Sequence, residues 1–423
     1  LEADSVLNNT GTIDLINPME LQAGSQANNS GVINSQNTTI YLRDGSSLDN
    51  TDGVINVTGG VVKLEGDFNN RGAINLSDGG QVFNNNFAQL RNYGSLTMDA
   101  GTVLQNSPGS FISNSVFGTW SLTDASVTNS GSMSNEGVLE VYSGSTIDNR
   151  ASGALSNAAT GELTSRAGAT LRNSGALNNA GTLSLLAGSA FANSGGTLNN
   201  DGVLNLHLDW VVGDANFGTM NLNAAGTLNN FADLTNNVSY SNIGTLNNFD
   251  LLFNGAGGAL TNRSGATMVN QADGTLNNAG TLTNESAATL SNYGTLQNEA
   301  GATLNNSSTL NNEGTLTNGV GATLRNSATL NNAGTLSLLA GSAFANGGGT
   351  LNNDGVLNLY LDWVVGNANF GTLNLNAAGT LNNFAHLMIG NNLFNYGTLV
   401  NQSGGALTNQ AGRTFTNDGS LTN

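Results

Sequence analysis

Residues 293–312 read YGTLQNEAGATLNNSSTLNN and are followed at once by EGTLTNGVGATLRNSATLNN at 313–332, with fourteen of twenty positions unchanged. Within the pair Leu296, Leu304, Leu310, Leu316, Leu324 and Leu330 are spaced 8, 6 and 6 before the pattern returns. A helix needs apolar positions three or four apart, so this rhythm excludes helical packing. Alternation along a short strand instead puts Leu296 on one face and Thr295 and Gln297 on the other. Three such strands per 20 residues, joined by corners, predict one coil of an all-β, single-stranded parallel β-helix. Each strand then pairs with its counterpart one repeat later at roughly 4.8 Å. Leu296, Leu316 and Leu336 are expected to stack inside, with the threonines outside. Right-handedness follows from the general crossover preference. Glycine and asparagine are both assigned to corners, because both tolerate left-handed backbone.

A single coil buries almost nothing, whereas a stack builds a continuous core. The pattern divides the chain into residues 1–125, with irregular coils, and 126–423, with regular GTLxN and GATLxN coils. The first region keeps a weaker rule in Ile13, Ile33, Ile55 and Ile74. A second level of repetition lies inside the regular region. Residues 181–234 return at 334–387 with an offset of 153, which corresponds to roughly eight coils of about 19 residues. Only Ser194, His207, Asp214, Met220 and Asp233 change, to Gly347, Tyr360, Asn367, Leu373 and His386.

Composition narrows the partners. A formal net charge of −18 makes a nucleic-acid backbone or an anionic bilayer an unsuitable main partner. Cysteine is absent, which removes disulfides and thiolate metal sites. No apolar run is long enough for a transmembrane helix. The chain ends at GSLTN within its own pattern, so it is expected to belong to something longer.

The GTLxN, GATLxN and NNxGTL series across about 150–423, with GxIN forms before it, resembles bacterial filamentous-haemagglutinin-like exoproteins and autotransporter passenger domains. That resemblance implies a long right-handed parallel β-helix exported across the bacterial outer membrane, commonly for adhesion. INPME at 16–20 is a partial echo of a secretion-domain motif, and no binding residue of those families has a counterpart here.

The segment LNLHLDWVV at 204–212, repeated at 357–365 with Tyr360 for His207, departs most from the short-strand rhythm. Alternation places Leu206, Leu208 and Trp210 inside and His207, Asp209 and Val211 outside. On one reading Trp210 and Trp363 simply fill a wider coil. On the other that coil forms an edge or groove for a partner, with Asp209 and Asp362 as acceptors and Val211 and Val364 as exposed apolar area. A metal or acid–base role for His207 or Asp214 is not shared by the two copies, since Tyr360 and Asn367 replace them. His207 and His386 lack metal-ligand spacing. Asp44, Asp49, Asp52, Glu65 and Asp67, with Arg43, Lys63 and Arg71, form the densest charged interval and are read as solvated surface rather than as a glycosidase or lyase pair.

The expected protein is a secreted or cell-surface bacterial fibre segment that mediates adhesion, without catalytic, metal or cofactor sites. Its expected partners are a host or bacterial surface protein or glycan, with self-association into filaments as a further possibility. A structural filament, matrix or sheath component is the alternative, and a polysaccharide-processing enzyme comes third.

Overall fold

A computed structural model describes residues 1–212, 218–365 and 371–423. Its regular elements are strands of three to five residues, without helix. The strands pair in parallel ladders, and three successive strands complete a turn of a β-solenoid. Leu316 stands opposite Leu296 on one side and Leu336 on the other, in the register the repeat predicts. All three are fully buried, while Thr295 and Thr315 face solvent.

Two kinds of corner produce the 8, 6, 6 spacing. The wide corner between Thr295–Asn298 and Thr303–Asn306 is a four-residue turn, closed by the Ala302 N–H donating to Glu299 O at 3.0 Å. Its third residue, Gly301, has φ +80°, which is the demand of a type II turn. The narrow corner Glu313–Gly314 needs glycine for a different reason. A Cβ on Gly314 would lie 2.1 Å from the Gly294 carbonyl of the preceding turn.

The asparagines correct the corner assignment. The last residue of a TLxN strand points inward, and Asn298, Asn312 and Asn318 are fully buried. Among the described residues only two asparagines, Asn37 and Asn86, have positive φ. The inward amides form ladders: Asn292 Nδ2 donates to Asn312 Oδ1 at 2.8 Å, and Asn312 Nδ2 donates to Asn332 Oδ1 at 2.7 Å. Asn312 Nδ2 also reaches Thr335 O at 2.9 Å. A buried amide left unpaired costs about 1–3 kcal/mol. Stacking removes that penalty because each turn supplies the partner the next one needs.

The chain forms two compact units. The first is built on Leu1–Leu208 and takes in residues 218–221, whereas the second is built on Leu222–Asn423 and takes in residues 209–212. In the first, Ile13, Ile33, Ile55 and Ile74 stand in one ladder, as their recurrence predicts. In the second, Trp210–Val212 begins a ladder that runs through Leu234, Leu252, Leu276 and Leu296 to Leu357 and Leu399. Trp363–Val365 begins a different one, through Leu387 and Leu407. Leu357, in the strand just before Trp363, already belongs to the ladder of Trp210. The 153-residue offset is therefore not a whole number of coils. The second copy is set one face further round.

Candidate functional site

In both copies the strand preceding the tryptophan ends at an inward leucine, Leu206 or Leu359, and the chain leaves strand geometry for three residues. Alternation is lost there, and Leu208, expected inside, is only half-buried. Trp210 and Trp363 resume the inward pattern and are buried. Phe344 packs edge-on against Trp363 at 5.2 Å between ring centroids. Among the described residues the buried Trp363 Nε1 finds no acceptor.

Asp209, Val211, Asp362 and Val364 all lie on outward positions of the second unit. Val211 stands opposite Thr235 and Val364 opposite Met388, each half-buried in its ladder. The aspartates are exposed, and each caps the start of a strand in the following turn. Asp209 Oδ1 accepts the Asp233 N–H at 3.3 Å, and Asp362 Oδ1 accepts the His386 N–H at 2.9 Å. Burial first, then the carboxylates of Asp209 and Asp250, raise the Asp233 carboxyl above its ordinary value. In the other copy His386 replaces Asp233, and its Nε2 lies 2.8 Å from Thr408 Oγ1.

Aromatic stacks at the corners were not anticipated. Phe231 and Phe249 stack at 4.6 Å between centroids with 13° between planes. Tyr360 and Phe384 do so at 4.4 Å and 10°. A signal was present: TLNNF occurs at 227–231, 245–249 and 380–384. The residue after the inward asparagine sits at the corner, where the next turn places its own counterpart one ladder step away. Tyr360 also borders an open hollow with Gly341, Ser342, Phe344 and Asp362.

A second hollow, in the first unit, has the opposite character. His207 lines it with Tyr142, Arg166 and Leu186. Arg166 Nη2 donates to Glu140 Oε1 at 2.5 Å, and the guanidinium lies 5.1 Å from the Tyr142 ring centre. Burial pushes the Glu140 carboxyl up, but hydrogen bonds from Tyr142 and Arg166 outweigh it and hold the group below its ordinary value.

The charged interval resolves into local pairs. Glu65 accepts from Asn86 at 2.9 Å and lies 3.9 Å from Arg43, whose Nε donates to Glu20 at 2.6 Å. Asp67 pairs with Arg91 at 3.3 Å, and Asp49 accepts from Asn69 at 2.6 Å. Among the described residues no group of three or more His, Asp or Glu side chains is arranged to hold a metal ion. Asp214 and Asn367 lie outside the described residues.

No family model and no curated protein matches this chain. Among solved structures it is similar to the crystal structure of a TibC-catalysed hyper-glycosylated TibA55-350 fragment, at 15% identity over 98% of each chain and a TM-score of 0.17.

Proposed function

We propose that this chain is a non-enzymatic adhesive segment of an extracellular or bacterial cell-surface fibre, and that it contacts a host or bacterial surface protein or glycan through the corners of its duplicated block. The observation that carries this reading is the pair of aromatic stacks, Phe231–Phe249 and Tyr360–Phe384, the second bordering a hollow with the outward Asp362. The core is already complete, with leucine and asparagine filling the inward positions. Rings at the corners therefore add little to folding, while exposed aromatic groups dominate the energetics of many interfaces. The GTLxN resemblance to exported adhesins supports the same reading.

A structural filament is the second reading, and the amide ladders favour it, because they repeat without reference to any partner. Binding of the purified chain to host cells, bacterial cells and a glycan array separates the two. The adhesive reading expects saturable binding that is weakened by Asp209→Asn with Asp362→Asn, or by Val211→Ser with Val364→Ser. Asparagine keeps the acceptor that caps the next turn, so the first pair is expected to stay folded. End-to-end or lateral assembly that survives all four changes, without any saturable partner, would establish the filament instead.

A further inference from the structure

We propose that the hollow between Tyr360 and Asp362 takes a guanidinium or ammonium side chain from a basic patch on a protein partner. The inference rests on the adhesive reading for its biological setting, but its chemistry is that of the hollow itself.

The Tyr360 ring is held in place rather than free. Phe384, one turn further on, stacks against it at 4.4 Å, and Gly341, Ser342 and Phe344 of the preceding turn line the hollow with it. Tyr360 as a residue remains 38% exposed. An aromatic face carries negative potential and attracts a cation within about 6 Å of the ring centre. The hollow is also firm beneath. Phe344 is buried and locked edge-on against Trp363 at 5.2 Å.

Asp362 supplies the opposing charge. The His386 N–H donates to its Oδ1 at 2.9 Å, which orients the carboxylate. The hydrogen-bonding character of the rim then decides between a cation and a sugar. Asp362 only accepts. Ser342 has its hydroxyl proton engaged by Leu339 O at 2.7 Å, so toward a ligand it also accepts. Among the described residues that line the hollow, the Tyr360 hydroxyl is the remaining side-chain donor. A saccharide hydroxyl both donates and accepts, whereas guanidinium and ammonium groups only donate. An acceptor-rich rim fits the second chemistry.

Charge over a longer range agrees. Residues 222–423 carry nine carboxylates against three arginines and no lysine. Among the described residues no basic side chain lines the hollow. The first copy has His207 in place of Tyr360. The duplicated block thus presents a phenol at this position in one copy and an imidazole in the other.

The test uses the full chain labelled with 3-fluorotyrosine. It has seven tyrosines, and Tyr360→Phe assigns the resonance of interest by its disappearance. The probes are acetyl-Gly-Arg-Gly-amide, its citrulline counterpart and methyl galactoside. The arginine peptide is expected to shift the Tyr360 signal saturably, with an effect that shrinks at high salt. The two uncharged probes are expected to leave it in place. Asp362→Asn should weaken the arginine peptide by about two- to fivefold, the range for an exposed ion pair. An equal response to citrulline, a response to the galactoside instead, or no saturable shift with arginine would each overturn the proposal. Cell adhesion without the arginine response would remove this inference and leave adhesion standing. The arginine response without cell adhesion would do the reverse.

Discussion

Trp210 and Trp363 are equivalent residues of a duplicated block, yet they begin ladders on different faces of the second unit. The 153 residues between them comprise whole turns plus one strand. Three-fold strand order should therefore govern which deletions the chain tolerates. Removing residues 293–312, one whole turn, brings Leu276 opposite Leu316 and preserves every face. Removing 307–312, one strand, moves every later strand to the wrong face. The first variant is expected to keep a cooperative thermal transition and a β-type far-ultraviolet spectrum, and the second to lose both.

Leu316 and Thr315 test the assignment of strand faces. Leu316 is fully buried between Leu296 and Leu336, so Leu316→Ala should destabilise by roughly 2–5 kcal/mol in denaturant unfolding. Thr315 is outward, and Thr315→Ser should cost well under 1 kcal/mol, as surface changes usually do. Equal losses would reverse the faces.

These two residues also mark how far the repeat alone was legible. The leucine and isoleucine ladders, the coil length and the outward threonines follow from spacing, because an apolar side chain has one place to go. Asn312 did not follow. A lone asparagine favours a turn, and only the next coil supplies the acceptors that let its amide lie inside. The rotation of the duplicated block was hidden for a related reason. Residue counts do not reveal where the wide corners fall, and those corners decide how many strands fill 153 positions. The Tyr360–Phe384 stack had a visible trace in TLNNF, which acquires meaning only once the corner is known to stack on itself.

Ala287 is a place where the chain departs from its own rule. It has φ +62°, at the corner where the preceding turn has Gly265 with φ +83°. A left-handed backbone costs a residue with a Cβ about 1–2 kcal/mol, partly offset by the unfolded-state entropy of glycine. Ala287→Gly is therefore expected to raise stability by a few tenths to about 1 kcal/mol. The adjacent Ala288 is buried, and Ala288→Gly should lower stability instead. Calorimetric melting of the two variants would check the contrast.

Asp233 gives a pH dependence with a definite sign. Burial and the neighbouring Asp209 and Asp250 raise its folded-state pKa. The folded state therefore binds its proton more readily than the unfolded state, and stability from this group falls as pH rises through the shifted value. The unfavourable contribution is present at neutral pH and disappears below the ordinary aspartate value of about 3.9. Asp233→Asn should raise the thermal midpoint at pH 7 and leave it unchanged once the medium is more acidic than that value. A gain of the same size at both pH values would contradict the assignment.

Two adjacent asparagines test the central structural claim most directly, since they share a residue type and differ only in the face they occupy. Asn312 is fully buried, accepts from Asn292 at 2.8 Å and donates to Asn332 at 2.7 Å and Thr335 O at 2.9 Å. Asn311 is outward and accepts from Asn331 at 2.9 Å. The measurement is equilibrium unfolding of Asn312→Ala beside Asn311→Ala. An internal amide ladder predicts a loss on the order of 3 kcal/mol for Asn312→Ala, which leaves several buried groups unpaired, and less than about 1 kcal/mol for Asn311→Ala. Similar losses for both, or the larger loss at Asn311, would contradict it.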